Sequence, residues 1–434
     1  MRGEAKGRVL SFDCLRPHPN PLPKGKGTFK TTQMIQSAYT PPDQLRRVSM
    51  IALIVGMLLL LILFVGLILD PNQFFHAYLV GFIFWTGITL GSLALLMLQH
   101  LTGGAWGVVI RRVLEASTRT LPLVLILFVP VAIGLRHIYV WTNIPAMSES
   151  PALYAKAAHY LNPSFFLTRA AVYFAIWSLL AITLNWLSLE QDRTADPRTG
   201  RRMRVISGPG LVLFVLTVTF ASIDWVMSLD PSWSSTIFGF LFVAAWTMSG
   251  LAFTIMVMAW LSQREPMIHV AKASHFHDLG NLLLALVMLW TYFAFSQYLI
   301  IWSGNLPEET TWYVARKHSG WGVIAVMIAI LQFAFPFLAL LSRATKASSQ
   351  KLAILVLLIL VMRVADVIWL IEPTFNRDRF HLSWMDLLAP FALGGLWLAT
   401  FTWQLQKRAL IPLNDPQLAS ALHPTHLEHE VGES

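Results

Sequence analysis

Apolar residues run along this chain in blocks of about twenty, separated by short polar segments where lysine, arginine, proline and glycine collect. Ten blocks are long enough to cross the hydrocarbon layer of a bilayer: 48–69, 78–101, 121–142, 164–188, 209–228, 236–262, 279–303, 319–342, 351–371 and 385–406. Each predicts an α-helix, because lipid gives an open backbone no hydrogen-bond partner and a helix satisfies its own N–H and C=O groups. The expected fold class is all-α, a polytopic membrane protein with ten transmembrane helices. A membrane domain over 48–406 then lies between an N-terminal tail, 1–47, and a C-terminal tail, 407–434. The composition agrees: 56% of residues are hydrophobic and 13% charged, with mean hydropathy +0.59, whereas a soluble domain is about a quarter charged.

The formal charge of +9 would suit a nucleic-acid partner if the cations formed one patch, but they do not. Segments on the side of the termini hold 24 lysines and arginines; the opposite loops hold five, Lys156, Arg316, Lys317, Arg377 and Arg379. That asymmetry places both termini in the cytoplasm and makes the charge a topology signal. The lone cysteine, Cys14, lies in a polar tail, which excludes a disulfide framework and a thiolate-held iron–sulfur cluster. "RPHPNPLPKGKG" in the first 33 residues has no apolar stretch of a signal peptide and reads as a disordered or over-extended start. The tail "HPTHLEHEVGES" reads as a solvated segment, with metal binding by its three histidines as the alternative.

A weak internal repeat runs through the spans. Span 3 ends "HIYVWTNIP" (137–145) and span 7 "QYLIIWSGNLP" (297–307). Asp224 in span 5 precedes Asp230-Pro231 by the same interval that separates Asp366 in span 9 from Glu372-Pro373; spans 2 and 6 open with "GFIF" and "GFLF". An offset of four helices preserves orientation, so the expected architecture is a parallel repeat of two four-helix bundles, spans 2–5 and 6–9, flanked by spans 1 and 10. "GITLG" (87–91) in span 2 fits a close helix crossing.

Polar residues inside apolar spans are costly and mark either a pathway or a structural ion pair. His76, Arg136, His137, Arg169 and Asp224 share the outer level of the first bundle, and His76, His137, Arg169 and Asp224 are candidates for a quinone site or an outer proton release. The second bundle offers Tyr292, Gln297, Arg363 and Asp366; Arg363 and Asp366 share a helical face and read equally as a structural pair or a proton station. His100, Glu115 and Asp278 at the cytoplasmic ends are candidate proton entry points. The segment 106–118 reads as an amphipathic helix on the membrane surface, with Arg111, Arg112 and Arg119 near the headgroups. Histidines fall only at span ends or in loops, which disfavours a transmembrane haem, and no phosphate-binding glycine motif is present. Trp85, Trp225, Trp290 and Trp302 suit either an aromatic belt or the wall of a quinone pocket.

The stretches "LQHLTGGAWGVVIRRVLEASTRTLPL" (98–123), "LVMLWTYFAFSQYLIIWSGNLPEE" (286–309) and "SIDWVMSLDPSW" (222–233) resemble the NrfD-like (polysulfide reductase membrane subunit) superfamily. The resemblance covers about residues 40–410 and is closest to the F-type subunit of bacterial alternative complex III, a quinol:electron acceptor oxidoreductase. It implies a haem-free subunit of the bacterial inner membrane that supports quinol oxidation and proton conduction in a respiratory or photosynthetic chain, rather than the complete catalyst. The implied partners are a second NrfD-like subunit holding the main quinol site, an iron–sulfur protein and c-type cytochromes. Haem c and iron–sulfur clusters then reside on those partners, and a quinone such as menaquinone is the candidate ligand of this chain. A proton-coupled secondary transporter and a purely structural membrane anchor are the competing readings. Most prolines lie at span ends, unlike the broken helices of transporters; Pro130 and Pro336 are exceptions.

Overall fold

The computed structural model describes residues 39–143, 147, 150–317, 320–377 and 379–418. Cys14, the polar N-terminal lead, His318 and the C-terminal histidines lie outside them. The described residues contain helices and no strand. Ten helical segments are long and apolar enough to cross a membrane: α1 (Gln44–Leu69), α2 (Pro71–Thr102), α3 (Ala105–Ile133), α4 (Pro163–Thr194), α5 (Pro197–Leu229), α6 (Phe238–Leu261), α7 (Ala273–Gly304), α8 (Trp321–Leu341), α9 (Ser349–Phe375) and α10 (Trp384–Leu405). Leu410 N–H donates to the Tyr39 carbonyl at 3.0 Å, so the first and last described segments meet at one face, called here the terminal face.

The helix starts follow a repeated local rule. Asp70-Pro71, Asn162-Pro163 and Asp196-Pro197 each place an acceptor at the N-cap and proline at the first helical position, where its missing N–H costs nothing. The cap oxygens accept from Gln73 N at 3.1 Å, Phe165 N at 2.9 Å and Arg198 N at 2.9 Å.

Helices α2–α5 close one bundle and α6–α9 a second, with α2 and α6 in contact at the centre. Helices α1 and α10 pair with each other and pack on α2. Gly91 and Gly250 make the central crossing possible. A Cβ on Gly91 would lie 1.8 Å from the Trp246 carbonyl oxygen, and one on Gly250 would lie 2.6 Å from Ser92 N. The sequences that meet are Gly91-Ser92 and Ser249-Gly250, small residues contributed by both bundles. The expected helix crossing at "GITLG" is therefore realised against α6.

Span 3 departs from the expected 121–142. Its helix stops at Ile133, where Gly134 packs so closely on Phe75 that a Cβ would lie 2.2 Å from the ring. The length is recovered on the other side, because residues 105–118 join the span instead of lying on the surface. Arg111 and Arg112 are each 1% exposed, buried inside the protein and out of reach of headgroups. The apolar-against-basic pattern that reads as a surface helix is here a buried helix whose cations find carboxylates on distant segments.

Candidate functional site

The carboxylate of Asp224 is fully buried in the last helical turn before Trp225. Arg169 on α4 grips it with two bonds, Nε to Oδ2 and Nη2 to Oδ1, both at 2.8 Å. Tyr173, one turn along α4, donates its hydroxyl to Oδ2 at 2.7 Å. Arg169 also donates to the Tyr160 carbonyl at 3.0 Å, and its guanidinium lies over the Tyr160 and Phe165 rings at 3.9 and 4.3 Å. A bidentate guanidinium plus a phenol satisfies a buried carboxylate well enough to repay its desolvation. Backbone bonds continue the cluster: Ser228 Oγ donates to the Asp224 carbonyl at 2.5 Å, Trp141 Nε1 to Ser228 Oγ at 3.2 Å, and Tyr139 to the Trp225 carbonyl at 3.0 Å.

Beside this cluster lies a cavity of about 270 Å³ bounded by Lys156, Tyr160, Ile223, Met227, Ser228 and Trp233, among others. Its walls are largely apolar. The Tyr160 hydroxyl is buried and turned towards Asp224, yet makes no hydrogen bond of good geometry. Lys156 Nζ stands at the rim, donating to the Pro231 carbonyl at 3.0 Å.

His76 and His137 are joined to each other but not to that cluster. His76 Nε2 lies 3.1 Å from the His137 carbonyl and its ring stacks on Phe375 at 3.4 Å. The His137 ring is exposed, stacked on Phe75 at 5.0 Å, with Nδ1 2.7 Å from Asn72 Oδ1. Of the outer set, the structure therefore brings Arg169 and Asp224 together and leaves the two histidines as a separate pair on α2 and the end of span 3.

In the second bundle, Arg363 bonds Asp366 through Nη1 and reaches Ser249 on α6 at 3.3 Å. Gln332 on α8 faces Asp366, fully buried with neither amide atom in a bond of good geometry. It sits in a π-helical stretch, Ala329–Ala334. Pro336 cannot donate to the Gln332 carbonyl four residues back, and the loosened turn takes up that loss. Gln297 accepts from Ser235 at 3.0 Å and donates to Tyr313 at 3.2 Å, tying α7 to the linker between bundles. Tyr292 is 64% exposed on the outside of α7 and shares no bond with this group.

At the terminal face, Glu115 is the centre of a charge network. Its oxygens accept from Arg111 at 3.1 Å, Arg112 at 2.7 Å, Arg408 at 3.1 Å and Ser188 at 2.5 Å. Arg112 also pairs with Asp192, and Arg111 with Asp415 at 2.6 Å. Three guanidinia face three carboxylates, and Arg119, held by the Glu115 and Gln404 carbonyls, adds a fourth cation beside them. His100 packs within electrostatic reach of Glu115 and Arg111, with Nε2 unbonded. Asp278 lies apart, half exposed and 3.7 Å from His277.

Tyr173, Tyr160 and Gln332 carry no signal in the sequence pattern; Asp386 carries only that of a helix cap, Glu372 enters it only as a repeat marker and Arg316 only as a loop cation. Arg316, on the short helix Pro307–Lys317, donates to the Trp369 carbonyl at 3.2 Å and the Leu370 carbonyl at 2.7 Å. Pro373 has no N–H for Trp369, so the guanidinium takes the orphaned acceptor. Burial lowers its pKa, opposed by the charge of Asp230.

Ten membrane-length helices decide the class of molecule. The chain is an integral, multi-pass membrane protein. A scan against models of protein families finds no match to it, and a search of curated proteins finds no similar one.

Proposed function

We propose that this chain is a haem-free membrane subunit of a bacterial quinol:electron acceptor oxidoreductase of the alternative complex III type, with both termini in the cytoplasm. The reading rests on the resemblance of residues 40–410 to the NrfD-like superfamily. The observation that carries it is the Arg169–Asp224–Tyr173 cluster abutting an apolar cavity at one end of the first bundle. A quinone headgroup would find apolar side chains from Met227 and Trp233 there, with Tyr160, Ser228, Lys156 and Asp230 as polar groups of the lining. Quinol chemistry would supply two electrons and two protons; electrons leave to haem c and iron–sulfur clusters on partner subunits.

This chain's residues handle position and protons. The Tyr160 hydroxyl and Lys156 ammonium hold the polar edge of the headgroup, and Trp233 and Met227 exclude water from its face. A proton released in the cavity passes through the Tyr160 hydroxyl to the Asp224 carboxylate. Asp224→Asn keeps the shape and removes the acceptor. Turnover of the assembled complex with quinol should fall by about 10²-fold, the lower range for loss of an acid–base group. Unchanged turnover and proton release would return Asp224 to a structural role.

A second reading, a proton-coupled transporter, draws on one observation, the π-helical break in α8 that turns Gln332 to Asp366. Transporters place such breaks at midplane sites. It predicts substrate uptake by the isolated chain in proteoliposomes and no dependence on quinol.

A further inference from the structure

The face opposite the termini carries a second acidic group that the quinol reading does not use. Glu372, in the last turn of α9, is fully buried. It faces Asp386 on α10 together with Gln73 and Asn376, yet neither of its oxygens makes a hydrogen bond of good geometry. Asp386 is also fully buried but well supplied with donors. Gln73 Nε2 donates to Oδ1 at 2.7 Å and Ser383 N–H to Oδ2 at 2.8 Å. The two helix ends treat charge oppositely. Asp386 sits in the first turn of α10, where the helix dipole favours an anion, and Glu372 in the last turn of α9, where it disfavours one.

No lysine or arginine nitrogen lies within 4.0 Å of either carboxyl among the described residues. Arg316, on the adjoining short helix, is held by backbone carbonyls of α9, and Arg377, just past α9, by Asp230 at 2.8 Å. From α2, the neighbouring titratable groups are Asp70, which caps the helix, and His76. From the loop before α10, His381 acts on Asp386 through space. His76 lies one turn beyond Gln73 and stacks on Phe375, one turn beyond Glu372; its buried Nδ1 has no partner. Two neighbouring buried anions without a cation repel and lose their hydration, and one proton between them removes both costs.

We infer that Glu372 and Asp386 form a one-proton binding site at the junction of α2, α9 and α10, with the proton on Glu372, the anion on Asp386 and His76 as the adjoining base. The inference stands apart from the quinol reading and holds whatever the chain's partners are.

Infrared spectra of the full chain in detergent at about pH 7 test it directly. Wild type should show a protonated-carboxyl C=O band that shifts in D2O, is lost in Glu372→Gln and survives in Asp224→Asn. Loss of an ionised-carboxylate band in Glu372→Gln, with no change in the protonated band, would overturn the site. Thermal melts give an independent arm. From about pH 6 to about pH 9, wild type should lose stability relative to Glu372→Gln, because releasing the proton leaves two facing anions. A wild-type melting temperature raised by sodium over choline at fixed ionic strength, and lost in Glu372→Gln, would show a metal cation as the occupant and overturn the proton.

Discussion

Asp224 and Asp366 occupy matching places in the two halves of the repeat, each six residues before an acidic residue followed by proline, and they are held in different ways. Asp224 lies in the last α-helical turn of α5, which gives way after Trp225 to a tighter turn over Met227–Leu229, and takes its cation from a neighbouring helix, α4. Asp366 lies nine residues before Phe375, the end of α9, a depth of roughly 14 Å at 1.5 Å per residue. Its cation, Arg363, is on the same helix. The repeat thus preserves the acid and not its partner. The first arrangement clamps two helices beside a cavity that reaches the end of the bundle. The second seals charge within the bundle core, against α6 and the π-helical turn of α8. The first is suited to a ligand and the second to stability or relay.

That contrast predicts opposite rankings for stability and activity. The largest loss of stability should follow Asp366→Ala, which leaves the buried Arg363 with one serine hydroxyl; about 3–5 kcal/mol is expected, read as a lower melting temperature in detergent. Asp224→Ala should cost less, about 1–3 kcal/mol, because Arg169 retains the Tyr160 carbonyl and two aromatic faces. Equal losses, or the reverse order, would break the comparison. Tyr173→Phe removes one bond to a charged acceptor and should cost about 1.5 kcal/mol, while leaving the Arg169–Asp224 pair in place. Smallest is Gln332→Leu. Its amide makes no well-formed bond, so the melt should shift by less than about 1 kcal/mol; a loss above about 3 kcal/mol would show a working bond from Gln332 to Asp366.

The helices were legible because a bilayer leaves a chain few options, and their apolar runs match the observed segments to within two turns, except in spans 3 and 5. Span 2 begins at Pro71 rather than 78 because Asp70-Pro71 is a helix start, a local signal that hydropathy alone passes over. Span 3 misled for a different reason. Arg111 and Arg112 look like headgroup anchors when their neighbours in sequence are considered, but their partners Asp192 and Asp415 lie some 80 and 304 positions away. Arg169 and Asp224 were both visible as expensive buried groups, while their pairing across 55 residues was not. Asp386 did carry a local signal, since Ser383-x-x-Asp386 is a capping box confirmed by both of its bonds. Its meeting with Glu372 depends on how α9 and α10 pack, which no spacing within either helix records.

The central claim is that this chain belongs to a quinol-oxidising complex, and its most direct test is physical association. The chain should be tagged, native membranes solubilised gently, and the purified material examined by mass spectrometry and a reduced-minus-oxidised spectrum. The account predicts haem c absorbance, iron–sulfur polypeptides and a second NrfD-like chain in the same preparation. A lone, colourless chain that survives purification intact would contradict it and bring the transporter reading forward.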